Sequence, residues 1–197
     1  TMGEVIKTLN DLTHGEAIVV TDVGQHQMVA CRYAQMKHSK SNITSGGLGT
    51  MGFALPAAIG AKFGAPDRTV VAVIGDGGIQ MTIQELGTIM QFKTDVKILI
   101  LNNSFLGMVR QWQELFHQHR YSFVNITSPD FVQVAKGYYI DGQSISERSE
   151  LRAALQTMLN HEGSYLLEVK VGKENNVFPM VPQGRGVAEI VLSKEEI

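Results

Sequence analysis

Two short apolar runs, Thr69–Ile74 and Val96–Leu101, restrict this chain more than anything else in it. Both are rich in β-branched residues and nearly continuous rather than alternating, the pattern of parallel strands covered on both faces. The first ends at Gly75-Asp76-Gly77-Gly78 and the second at Asn102-Asn103. Between them, residues 79–92 place Ile79, Ile83, Leu86, Ile89 and Met90 at helical spacing. A strand–helix–strand unit closes with a right-handed crossover, so both strands run the same way and end at one edge of the sheet. Asp76 and Asn103, 27 residues apart, therefore meet at the carboxyl edge, where open α/β sheets bind ligands. A carboxylate and an amide oxygen beside a glycine turn suit a hard cation such as magnesium and the phosphates it carries.

The rest of the chain repeats the alternation. Helical patterns are expected at about 4–12, 25–36, 51–63, 106–117 and 146–160, with a short helix ending near Lys136 and capped by Ser128 or Asp130. Strands are expected at Ala17–Thr21, Tyr138–Ile140 and Tyr165–Val171, with 37–45 a polar loop and 172–186 an irregular tail. This is the order of a doubly wound parallel α/β sheet. It gives one domain over 1–171 with 172–197 as its tail. A net charge of −2 makes no electrostatic case for nucleic acid or a membrane surface, and no apolar stretch would span a bilayer. The lone Cys31 favours a reducing compartment, hence a cytoplasmic location. A start at Thr1 suggests a domain from a longer protein.

Gly75-Asp76-Gly77, the spacer and Asn102-Asn103 resemble the signature of enzymes that use thiamine diphosphate. The resemblance runs on through Asn102–Gln113, back to Gly24–Met28 and Ser45–Phe53, and forward to Asn176–Pro182. Together these segments are similar to the C-terminal domain of the large, catalytic subunit of acetohydroxyacid (acetolactate) synthases, over nearly the whole chain. The resemblance implies a three-layer α/β/α fold around a doubly wound, mostly parallel six-stranded sheet. It implies Mg2+ held by Asp76, the Asn103 side-chain oxygen and the Phe105 main-chain carbonyl. Gln25 and His26 would contact the diphosphate, Gly77 and Gly78 would let the backbone approach it, and Gly75 would also belong to the cofactor site. The Gly49 carbonyl would accept from the aminopyrimidine and Met51 would wedge between the cofactor's rings, with Gly107 and Met108 also in the cofactor site. Trp112 would stand at the mouth of the substrate channel.

The same resemblance implies condensation of pyruvate with pyruvate or 2-ketobutyrate, in branched-chain amino-acid biosynthesis. No catalytic residue is expected in this chain, because the activating glutamate belongs to an N-terminal domain of a partner subunit. FAD would belong to a middle domain of the full-length protein only. Partners would be further copies, as a dimer or tetramer, and a regulatory small subunit.

Plainer readings stand beside these. Asp76 alone could be a turn residue, Met51 and Trp112 helix packing, and His26 a solvated loop residue. Gly47–Gly52 also fits the dinucleotide pattern G-x-G-x-x-G, but that turn must directly follow a strand, and the polar 37–45 segment argues against one. Lys37–Asn42 lacks the Pro-Arg and aromatic residue of the synthase pattern, and Ala54 stands where glycine is common. Two alternatives remain, another thiamine diphosphate decarboxylase or carboligase and a non-enzymatic dinucleotide-binding module. Trp112 and the Phe178–Pro182 segment favour the synthase.

Overall fold

The computed structural model describes residues 1–173 and 176–197. Its elements are α1 (Met2–Thr13), β1 (Ile18–Thr21), α2 (Gln25–Tyr33), β2 (Asn42–Thr44), α3 (Ala54–Gly64), β3 (Val70–Gly75), α4 (Asp76–Met81), α5 (Leu86–Phe92), β4 (Lys97–Asn102), α6 (Gly107–Phe116), α7 (Phe131–Gly137), β5 (Asp141–Ile145), α8 (Leu151–Asn160) and β6 (Tyr165–Lys170). The six strands form one sheet in the order β2-β1-β3-β4-β6-β5, and every pairing is parallel.

The continuous apolar runs are explained by what covers them. Val71, Val73, Leu99 and Leu101 face a core shared with Val5, Ile6 and Leu9 of α1 and Leu155 and Met158 of α8. Their neighbours Ala72, Ile74, Ile98 and Ile100 face the other layer, with Leu55 and Ile59 of α3, Leu86 and Ile89 of α5, and Phe131 of α7. Successive strand residues point to opposite faces, so a sheet with helices on both sides needs apolar residues at every position. Burying each Leu or Ile side chain contributes about 1.5–3 kcal/mol. In α1 the buried Met2, Val5, Ile6 and Leu9 fall at helical spacing, and the Thr1 hydroxyl caps it by accepting from the Glu4 amide at 3.3 Å.

Several local expectations are corrected. The 37–45 segment is not all loop: Asn42–Thr44 forms edge strand β2, paired with β1 through Val20 and Ile43. A strand therefore does precede Gly47, against the premise used to set the dinucleotide pattern aside. That turn nonetheless does not open a helix, since α3 begins only at Ala54. The strand expected at Tyr138–Ile140 lies instead at Asp141–Ile145, because Tyr138 still closes α7 and Tyr139 takes a left-handed φ of 58°. The single helix expected over 79–92 is two, and the first starts at Asp76 itself. Thr82 breaks the run at φ −134°, and its hydroxyl donates to the Gly52 carbonyl at 2.9 Å. Between the two candidate caps of α7, Asp130 does the capping, accepting from the Gln133 amide at 2.9 Å. The tail is tied down: Gln111 bonds both the amide and the carbonyl of Val177, and Met180 bridges Val191.

Candidate functional site

Strand order sets where a ligand can enter. From β1 the chain moves outward to β2 and then returns across β1 to β3, so β1 and β3 are neighbours whose exits diverge. Such a reversal leaves a crevice beyond the carboxyl ends of the two strands. A cavity of about 210 Å³ opens there. It is lined by Gln25 and His26 after β1, Gly49 and Met51 from the β2–α3 loop, and Gly75, Asp76, Gly77 and Gly78 after β3. Asn103, Phe105, Gly107 and Met108 after β4 complete the twelve residues that the sequence singled out for a cofactor. Trp112 is not among the lining residues; it stacks on Phe116 with ring centroids 4.7 Å apart.

Each wall has a local cause. Asp76 is the first residue of α4 and is 1% exposed, and burial pushes its carboxyl up to about 6. The amides of Asp76 and Asn103 and the Ser128 hydroxyl, 3.4 Å away, pull the other way without cancelling the burial. Asn103 is buried, and its Oδ1 accepts from the Phe105 amide at 3.1 Å, closing a turn in which Ser104 has φ 60°. The Phe105 ring lies under the Arg110 guanidinium, 5.3 Å from its centroid. A Cβ at Gly107 would meet the Gln25 amide oxygen and sit 2.7 Å from the Asn103 Nδ2, so a larger residue there would displace the ends of those two side chains. Gln25 is held from behind, donating to Gln111 at 2.9 Å.

His26 is packed between two glycine backbones, where a Cβ on Gly24 or Gly75 would sit 2.8 Å or 2.9 Å from its ring. Its Nε2 is buried without a hydrogen-bond partner among the described residues, and burial lowers its pKa to about 4. The ring is therefore neutral near pH 7. A histidine whose folded pKa lies below its unfolded 6.5 contributes stability that is intact above pH 6.5 and lost as pH falls toward 4. Relative to a His26→Asn variant, the wild type should lose on the order of 3 kcal/mol over that window. Denaturant midpoints measured from pH 7 to 4 check this, and parallel curves for the two proteins would refute it.

The sequence reading missed Asp22, which directly follows β1 at the same sheet edge. It is fully buried, and burial raises its pKa above the ordinary carboxylate value. The amides of Ala54, Gly52 and Phe53 lean toward it and lower its pKa, yet neither carboxylate oxygen completes a hydrogen bond. Its position straight after a central strand was the available signal. Leu106 and Val109 also line the cavity, as does Met2 from α1, which no local pattern would have brought there.

Chemically the cavity offers one carboxylate, the side-chain amides of Gln25 and Asn103, main-chain carbonyls, glycine-lined backbone and an imidazole nitrogen with no partner among the described residues. Among the described residues no group of three or more His, Cys, Asp or Glu side chains could cage a metal. An oxygen-only set of this size suits magnesium that brings phosphate ligands with it. The orphaned His26 nitrogen and the bare glycine backbone fit a diphosphate.

Known proteins agree with this architecture. Residues 22–169 match the family model described as "Thiamine pyrophosphate enzyme, C-terminal TPP binding domain". The chain is 47% identical over 188 residues to the acetolactate synthase isozyme 2 large subunit of Escherichia coli, covering 95% of this chain and 34% of that protein. It is 44% identical over 191 residues to the mitochondrial acetolactate synthase catalytic subunit of Saccharomyces cerevisiae, covering 97% of this chain and 28% of that protein. It is 42% identical over 195 residues to the chloroplastic acetolactate synthase 1 of Oryza sativa, covering 95% and 30%. The chain thus spans about a third or less of the length of these relatives. On the match across its central sheet and cavity, the chain belongs to the family of C-terminal thiamine pyrophosphate-binding domains of thiamine pyrophosphate enzymes.

Proposed function

We propose that the cavity binds the diphosphate end of thiamine diphosphate through Mg2+, and that the chain serves as this part of an acetolactate synthase catalytic subunit. The substrates would be pyruvate with a second pyruvate or 2-ketobutyrate. The observation that carries the reading is the buried pair Asp76 and Asn103, brought together with His26 and Gln25 at the β1/β3 crevice. When bound, the cofactor supplies the nucleophilic carbon and the electron sink for decarboxylation and carbon–carbon bond formation.

The chain's own residues bind and orient. Asp76, the Asn103 amide oxygen and the Phe105 carbonyl hold the cation, whose charge reverses the effect of burial and keeps Asp76 ionised. His26, with its proton on Nε2, donates to a phosphate oxygen, and Gln25 is steadied by Gln111. The Gly49 carbonyl and the Met51 side chain hold the pyrimidine side. The glutamate that activates the cofactor, an FAD-binding part and the opposite wall of the cleft are assigned to other parts of the complete enzyme. The exposed Leu48 and Phe123, 93% and 99% accessible, are consistent with a facing partner. A dimer or tetramer and a regulatory small subunit follow from the same reading, as does a cytoplasmic location. Among the described residues no helix is long and apolar enough to cross a membrane.

Isothermal titration with thiamine diphosphate tests the reading. Heat of binding is expected with Mg2+ present, little without it, and none with NAD. Binding of NAD in preference would replace this reading by a dinucleotide site. Trp112 provides a second check. If it borders the substrate path in the complete enzyme, Trp112→Leu should shift the ratio of 2-ketobutyrate to pyruvate used as acceptor several-fold, an aromatic platform contributing about 0.5–1.5 kcal/mol. An unchanged ratio with a lowered melting temperature would assign it to packing on Phe116.

A further inference from the structure

A carboxylate outside the cavity is linked by hydrogen bonds to the loop that forms one of its walls. Glu168 lies on β6, in register with Ile100 of β4 on one side and Ser144 of β5 on the other, and is 4% exposed. Its Oε1 accepts from the Asn102 Nδ2 at 2.7 Å and from the Lys170 ammonium at 2.5 Å, and its Oε2 accepts from the Ser144 hydroxyl at 2.6 Å. Lys170 is 47% exposed, so its ion pair with Glu168 is screened by solvent and is a weak source of stability. What it does provide is direction.

An ionised carboxylate can only accept, so it takes the NH2 end of the Asn102 amide and leaves the oxygen end pointing the other way. That oxygen receives the Ser104 amide at 2.9 Å and the Ser104 hydroxyl at 3.3 Å. Ser104 stands at φ 60°, a left-handed conformation that a serine keeps only where its surroundings hold it. The next link is the Phe105 amide on Asn103 Oδ1, and the Ser104 carbonyl accepts from Ile126 at 2.9 Å. The 103–105 turn, whose Asn103 and Phe105 line the cavity, is thus linked by hydrogen bonds through Asn102 to Glu168.

We infer that Glu168 is a positioning residue for the cation site: through Asn102 it holds the 103–105 turn in its ligating shape. This rests on the reading of the cavity as a magnesium–diphosphate site. Partners one step behind metal ligands typically govern about 10- to 100-fold in metal affinity.

The test is isothermal titration of thiamine diphosphate into the 197-residue chain at a series of fixed Mg2+ concentrations, whose Mg2+ dependence gives an apparent Mg2+ dissociation constant. Glu168→Leu should raise the Mg2+ dissociation constant about tenfold or more while the fraction of competent sites stays near that of the wild type. Glu168→Gln keeps an acceptor for Asn102 and should stay within about threefold of wild type. Ser144→Ala removes a Glu168 contact that does not lead to the loop, and should leave the constant unchanged. Asn102→Ala breaks the same link from its other end while Glu168 keeps Ser144 and Lys170. It should reproduce the Leu effect, and it decides the matter should Glu168→Leu not fold. A folded Glu168→Leu or Asn102→Ala chain with wild-type Mg2+ affinity, or one that loses only competent sites, would overturn the inference. A wild-type chain that takes up no thiamine diphosphate with Mg2+ would overturn the underlying reading and this inference with it.

Discussion

Asp76→Ala is expected to weaken Mg2+-dependent binding of thiamine diphosphate by roughly 100-fold or more, the loss of about 3 kcal/mol that follows from deleting a charged, buried partner. The variant should still fold, because burial already works against the ionised form of Asp76 and its removal relieves that cost in the unliganded chain. Asp76→Asn separates charge from shape: it retains an oxygen near the same place and lacks the negative charge that Mg2+ requires. It should bind far more weakly than wild type but better than the alanine variant. Titration calorimetry together with thermal melts of the three proteins distinguishes the possibilities. Near-wild-type affinity in Asp76→Ala would dismiss the metal assignment, whatever the stability.

The chain by itself is expected to fold cooperatively, to bind thiamine diphosphate weakly and to produce no acetolactate. Two apolar layers cover both faces of the central strands within these residues, so the fold has its own core. In the proposed reading, by contrast, the cavity is one side of a cleft. Among the described residues its lining includes no glutamate, and its Asp76 and Asn103 are committed to the cation in the proposed reading. Incubation of the purified chain with pyruvate, Mg2+ and thiamine diphosphate, followed by colorimetric assay for acetolactate, gives the answer. Sustained turnover would show that a proton-transferring group in this chain serves the reaction, and Asp22, buried beside the same edge with unsatisfied oxygens, would be the first residue to replace. Association of the chain with itself is expected too, since Leu48, Met81 and Phe123 leave apolar surface exposed.

The central unit was legible because its signals are local. A run such as Val70–Ile74 has no alternation, so it must be covered on both faces, and the residue after it must lie at the sheet edge. The helical spacing after Asp76 then forces Asn103 to the same edge, whatever the remaining strands do. The residues assembled in the cavity were named on a resemblance to known enzymes, and the crossover geometry explains why segments so far apart in the chain can meet. Met2 and Asp22 show the limit: one reaches the cavity from the opposite end of the chain, and the other looks like any turn acid.

The edge strands were the hardest to see. Asn42–Thr44 and Asp141–Ile145 are short and largely polar because only one neighbour pairs with each and little of their surface is buried. Their strand character comes from β1 and β6, which supply the hydrogen bonds, and not from their own side chains. The break at Thr82 likewise depends on a partner 30 residues away, the Gly52 carbonyl. The sequence by itself determined the parallel α/β class and the meeting of Asp76 with Asn103, since hydrophobic period and crossover handedness act within one strand–helix–strand unit. Only the tertiary structure decided the edge strands, the neutral His26 between its glycines, the stacking of Trp112 outside the cavity and the reach of Glu168 through Asn102. Each of those depends on pairings between residues distant in sequence, and burial and hydrogen-bond satisfaction exist only once the chain has closed on itself.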